Sequence, residues 1–162
     1  MRDADFERLY AEHAQRLYAF LVYRTGDRVL AEDVMADTFE AAYRARVRFD
    51  RRRASERTWL YTIALNRLRD HGRRNAAEAR ALERVAGDAS SPGIDPGLEA
   101  METRDRVVRS LGVLSDEERE TVALRFGADL TLKEIAAALD QPMTTVEGRL
   151  YRALRRLREE LE

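Results

Sequence analysis

The segment GDASSPGIDPG, residues 87–97, limits the size of any single core this chain can build. Its glycines and prolines, set among serines and aspartates, neither continue a helical pattern nor alternate as a strand, so the segment reads as a flexible linker. The stretches on either side, residues 1–86 and 98–162, are each just long enough to support a small core. Both carry apolar residues at helical spacing. The expected architecture is therefore all-α, with two small helical domains, 1–86 and 98–162, joined by the linker 87–97.

In the first stretch, Phe6, Leu9, Tyr10, His13, Leu17, Phe20 and Leu21 trace one face of a helix, with Asp3 or Asp5 available as its cap. Thr25-Gly26-Asp27 breaks the pattern as a turn, because Gly26 tolerates a left-handed backbone. A second helix is expected over 28–44, with Leu30, Ala31, Val34, Met35, Thr38, Phe39 and Ala42 inward. Its other face presents Glu32, Asp33, Asp37 and Glu40. Like charges three and four residues apart cost a helix a few tenths of a kcal/mol, so this face fits a basic partner as well as it fits plain solvent.

A third helix is expected in TWLYTIALNRLRDHGRR, residues 58–74, where Leu60, Ile63, Ala64 and Leu68 define a buried face and leave Trp59, Tyr61, Asn66, Arg67, Arg69, Arg73 and Arg74 to others. Asn75 to Ala86 has a composition that can extend it. The charge partition is marked: residues 1–43 hold nine acids and five arginines, and residues 44–75 hold eleven arginines and three acids. Cations beside aromatic rings suit the backbone and bases of single-stranded nucleic acid. Trp59 at helical spacing serves equally as a core side chain, and an arginine-rich face serves equally as a solvated one.

The second stretch opens with a helix expected over 98–111. Three capping-box spacings follow, Ser115 with Glu118, Thr131 with Glu134 and Thr144 with Glu147, marking helix starts for 116–126, 132–139 and 145–161. A short helix, the turn Asp140-Gln141-Pro142-Met143 and a long helix make a helix-turn-helix pattern. In the last helix Val146, Leu150, Ala153, Leu154, Leu157 and Leu161 are expected inward. Thr145, Gly148, Arg149, Arg152 and Arg155 or Arg156 are then on or near the outer face, available to a major groove.

The chain has no cysteine, which excludes disulfides, cysteine-zinc sites and thiol redox chemistry. Its only histidines are His13 and His71, so no metal or other cofactor is expected. MRDADFERLY has no apolar signal core and no run approaches membrane-spanning length, so a cytoplasmic location without membrane insertion is expected.

These motifs together, in this order, resemble the extracytoplasmic-function subfamily of bacterial sigma factors over nearly the whole chain. AEDVMADTFEAAYRA (residues 31–45) looks like that family's core-polymerase-binding helix. TWLYTIALNRLRDHGRR looks like the segment that recognises and opens the minus-ten element. LSDEERETVALRF, LTLKEIAAAL and TTVEGRLYRALRRL look like the fourth conserved region, whose final helix reads the minus-thirty-five element. The resemblance implies a sigma factor that directs promoter recognition, DNA opening and transcription initiation, with no catalysis of its own. It implies docking on core RNA polymerase by Asp33, Asp37, Phe39 and Glu40. Trp59, Asn66, Asp70, Arg73 and Arg74 would lie around melted promoter DNA, Trp59 as a packing anchor, and Thr145, Gly148, Arg149 and Arg152 would bind duplex upstream. An anti-sigma factor is a further expectation from the family.

Departures from the pattern are few. Ser115 stands where the family often has proline, Asp140 where it often has glycine and Glu147 where a lysine is common. Aspartate visits left-handed geometry more readily than most residues, whereas a carboxylate at 147 serves the cap and repels phosphate. Two other readings cover parts of the chain. A stand-alone helix-turn-helix regulator leaves the acidic helix and the aromatic-basic segment unexplained. An enzyme acting on nucleic acid would need a phosphate-cradling glycine loop, a metal cluster or a nucleophile with its base, and the sequence offers none.

Overall fold

A computed structural model describes residues 1–82 and 110–162, which are helical apart from short connecting segments. The chain divides into two compact units, Met1–Pro92 and Gly93–Glu162. The expected linker, the last part of the helix extension and most of the helix expected over 98–111 lie outside the described residues.

The first unit consists of α1 (Asp3–Thr25), α2 (Arg28–Ala45), a 3₁₀ turn (Arg46–Arg48) and α3 (Glu56–Leu82). Gly26 ends α1 at φ 67°, and its N–H reaches the Val22 carbonyl at 2.7 Å. Asp27 then caps α2, accepting from the Val29 and Leu30 N–H groups at 3.0 and 3.2 Å. Neither Asp3 nor Asp5 is the N-cap of α1. That position is Arg2, and Asp5 accepts the Arg2 N–H at 3.2 Å from the first turn, while Asp3 receives Arg46 Nε at 3.1 Å.

α2 packs against both α1 and α3. Leu9, Leu17, Leu21, Ala31, Val34, Ala42, Leu60, Tyr61, Ala64 and Leu65 are almost wholly removed from water. The alanines let the helices approach closely while the leucines fill the space between them. The buried face of α3 is thus rotated from the expected one: Tyr61 and Leu65 are buried, and Ile63 and Leu68 are only half-buried. The Tyr61 ring meets Phe20 edge-on, centroids 5.4 Å apart, which turns it inward.

The second unit contains α4 (Asp116–Val122), a π-helical turn (Ala123–Gly127), α5 (Leu132–Leu139) and α6 (Met143–Leu161). Two of the three expected capping boxes form. Ser115 Oγ accepts from the Glu118 N–H and Glu118 accepts from the Ser115 N–H, both at 3.2 Å. Thr131 and Glu134 do the same at 3.2 and 3.1 Å. The helix expected over 116–126 widens after Val122 because the Ala128 N–H reaches the Ala123 carbonyl at 2.9 Å and the Leu130 N–H reaches Leu124 at 3.0 Å. Asp140 takes the left-handed conformation at φ 52°, the position where its substitution for glycine was expected to be tolerated.

The third box does not form. α6 begins at Met143 with Pro142 as its N-cap, extended at φ −60° and ψ 142°, so Thr144 lies inside the first turn. Proline presets the backbone for helix entry and has no N–H to satisfy, so the chain enters α6 earlier than the Thr144 hydroxyl would place it. The inward face also differs from expectation: Val146, Arg149 and Ala153 are buried, whereas Leu154 and Leu161 are 41% and 52% exposed.

Candidate polymerase and nucleic-acid interfaces

α2 carries the acidic surface. Glu32, Asp33 and Glu40 are exposed, and Glu40 pairs with Arg44 one turn on at 2.6 Å. Asp37 is held: its Oδ2 lies 2.6 Å from His71 Nε2 on α3, whose side chain is 16% exposed. This bridge spans 34 positions of sequence and was not anticipated. Phe39, inward by its helical spacing but placed on the docking surface by the family resemblance, is a core side chain at 7% exposure, edge-on to Phe6 and Tyr10 at 6.4 and 4.7 Å. It therefore supports the acidic face by holding α2 on α1. Tyr10, which packs on Phe39, and Tyr43, which packs on Phe6, are the exposed rings there.

Beyond α2 the basic segment divides into engaged and exposed cations. Arg46 is tied down by Asp3, by the Tyr43 carbonyl at 2.8 Å and by the Tyr43 ring, 3.8 Å beneath its guanidinium. Arg51, although exposed, is paired with Glu56 at 3.0 Å, and Arg48, Arg52 and Arg53 are exposed. Trp59 is half-buried and packs at a tilt against Phe49, centroids 4.8 Å apart, which anchors the 49–55 loop to the start of α3. Asn66, Asp70, Arg73 and Arg74 follow at spacings of four, three and one, so they share a side of α3. Asp70 lies between Arg67 at 3.8 Å and Arg73 at 3.5 Å, and Arg69 Nη1 reaches Asn66 Oδ1 at 3.5 Å. Arg73 and Arg74 are exposed.

Beside this segment is a pocket of about 400 Å³ lined by Arg8, His13, Arg51, Ala54, Ser55, Glu56 and Arg57. Glu56 accepts from Arg8 at 3.1 Å and from Arg51 at 3.0 Å, and the Arg8 pKa is raised chiefly by that hydrogen bond. Burial lowers the His13 pKa. The pocket thus presents cations around one carboxylate. Arg8 and His13 came to it unforeseen, because they reach it from α1 by tertiary packing.

In the second unit the outward side of α6 carries Thr144, Thr145, Glu147, Tyr151 and Arg152. Gly148 is half-buried under Arg152, whose Nη1 lies 3.4 Å from where a Cβ on Gly148 would stand. Tyr151, 76% exposed, was not among the expected contacts. Arg149 was, and the structure corrects this: it is 8% exposed, donates to Gln141 Oε1 at 2.8 Å and pairs with Glu117 at 3.6 Å. It ties α6 to the turn and to α4. Arg156 is similarly engaged with Glu118 at 3.3 Å.

Among the described residues no group of three or more His, Cys, Asp or Glu side chains could hold a metal, and no helix is long and apolar enough to cross a membrane. Residues 9–78 match the family Sigma-70 region 2, and residues 110–159 match Sigma-70, region 4. The ECF RNA polymerase sigma factor RpoE of Cereibacter sphaeroides is 30% identical over 159 residues, covering 98% of this chain and 87% of its own. Among solved structures, CnrH in complex with the cytosolic domain of CnrY is 29% identical, with a TM-score of 0.71 and coverage of 99% and 89%. The sigma factor RpoE in complex with the anti-sigma factor NepR from Bartonella quintana shares the fold at 24% identity, with a TM-score of 0.78 and coverage of 97% and 96%. The chain therefore belongs to the family of ECF RNA polymerase sigma factors, non-catalytic proteins that bind RNA polymerase and recognise promoters.

Proposed function

We propose that this sigma factor docks on core RNA polymerase through Asp33, Asp37 and Glu40 of α2 and opens the minus-ten element along α3. In this reading Asn66, Arg73 and Arg74 follow the melted strand and Asp70 orients its neighbouring arginines. Trp59 positions the loop by packing on Phe49. The minus-thirty-five element meets α6 through Thr145, Gly148 and Arg152. The domain assignment follows: residues 1–86 for polymerase and the minus-ten element, residues 98–162 for the upstream duplex, and 87–97 between them.

The observation that carries this reading is the joining of an acidic face on α2 to a basic, aromatic-anchored segment and α3 in one small unit, with a helix-turn-helix in the other. A chain with a net charge of −1 lacks the electrostatics for tight independent DNA binding. Tethering both units to polymerase makes promoter recognition bivalent and raises effective concentration without new contacts. Free protein is therefore expected to bind promoter DNA weakly. We include an anti-sigma factor that covers the exposed surfaces, supported by the solved complex of CnrH with the cytosolic domain of CnrY.

The test is gel filtration with core RNA polymerase, using wild type and a variant with Asp33→Lys, Asp37→Lys and Glu40→Lys, followed by transcription from a randomised template library. Co-elution lost in the variant, with promoter-dependent transcripts from wild type, is the expected result. Equal co-elution of both proteins sinks the assignment to the acidic face, and tight duplex binding by the free protein argues against delivery by polymerase.

A further inference from the structure

We infer that Glu147 sets base specificity in the upstream element by selecting cytosine. The inference rests on the reading that α6 enters the major groove of promoter DNA. Glu147 is exposed near the start of α6, the part of a recognition helix that meets base edges. With Pro142 as N-cap and Thr144 inside the helix, the carboxylate is released from the capping role its spacing implied. Among the described residues no hydrogen bond or ion pair engages it. Its neighbours three and four positions away are Met143, Thr144, Leu150 and Tyr151, none of them cationic. Of the carboxylates at the far end of α6, Glu159 pairs with Arg155 and Glu162 with Arg158, both at 3.7 Å, and Glu160 lies in the last turn, well away from the end that meets base edges.

A carboxylate on this face is an acceptor only, and phosphates repel it. In a major groove it needs a donor. Guanine presents O6 and N7 and thymine presents O4, all acceptors, so both oppose it. Adenine offers its N6 amino group beside the N7 acceptor. Cytosine offers the N4 amino group with no acceptor beside it on its own edge, and it is the base a carboxylate fits. Arg152, folded over Gly148, brings the compensating positive charge and the donors that a neighbouring guanine accepts.

The test uses holoenzyme assembled from core polymerase and the full chain, transcribing templates randomised at both promoter elements. Wild type is compared with Glu147→Ala, Glu147→Gln and Glu147→Lys. We expect wild type to favour cytosine at one upstream position by about tenfold. Glu147→Ala removes that preference and leaves the others, Glu147→Gln moves it toward adenine, and Glu147→Lys moves it toward guanine. Thermal melts of all four proteins verify that each is folded, as the exposed position leads us to expect. An unchanged cytosine preference in Glu147→Ala, or a wild-type profile without cytosine upstream, overturns the inference while leaving the sigma-factor reading intact. Failure of wild type to transcribe any template overturns the promoter reading and this inference with it.

Discussion

Tyr61→Phe is expected to make the first unit more stable. The Tyr61 side chain is wholly buried, and its hydroxyl oxygen has no hydrogen-bond partner. A buried polar group without a partner costs about 1–3 kcal/mol, and the substitution removes only the oxygen, so a gain of about 1 kcal/mol follows. For a unit of this size that gain raises the melting midpoint by roughly 4–8 °C. Trp59 is the only tryptophan in the chain, so its fluorescence follows the first unit alone.

The same residue predicts a difference at alkaline pH. Burial pushes the Tyr61 pKa up from its ordinary 10 to about 12, so the folded state keeps a proton that the unfolded chain releases. Its contribution is fully present below pH 10 and is lost as pH rises through about 12, a swing on the order of 2–3 kcal/mol. Phenylalanine cannot titrate. Urea titrations at several pH values should therefore show the advantage of the variant growing across that window. A Tyr61→Phe protein that melts below wild type, or two proteins that lose stability in parallel from pH 10 to 12, would refute the reasoning.

Two further contrasts test the second unit. Thr131→Ala removes a formed cap and should destabilise by about 1 kcal/mol, whereas Thr144→Ala touches no formed cap and should stay within about 0.5 kcal/mol; helical circular dichroism in urea compares them, and equal losses would restore the third capping box. Arg149→Ala strips Gln141 and Glu117 of a buried cation and should cost about 1.5–3 kcal/mol in the same assay. Arg152→Ala should stay within about 0.5 kcal/mol yet lower promoter-directed transcription; a stable Arg149→Ala protein defective only in transcription would return Arg149 to the proposed DNA contacts.

What the chain disclosed in advance was local. Ser115 with Glu118 and Thr131 with Glu134 form as their spacing implied because a cap needs only residues three apart. Gly26 and Asp140 adopt positive φ for the same local reason. The Thr144 cap failed where a second local rule, proline at helix entry, competed and prevailed. Errors of facing came from tertiary packing. Trading Ile63 and Leu68 for Tyr61 and Leu65 turns α3 only slightly, and the turn depends on where Phe20 lies. Arg149 reads as a surface cation until Gln141 and Glu117 are brought to it, whereas Phe39 is buried as its helical spacing implied and only the family resemblance had placed it at the docking surface. His71 could not be connected with Asp37 by any periodicity, because the pair joins two helices.

That pairing determines how the chain can be recombined with its relatives. A chimera that imports an α2 without a carboxylate at position 37 leaves His71, largely enclosed, to find another acceptor; one that imports an α3 without a histidine at position 71 strands the Asp37 carboxylate instead. α2 and α3 are therefore one exchangeable cassette. Crossovers placed before Arg28 and after α3 preserve it, and a crossover in the basic loop between them divides it.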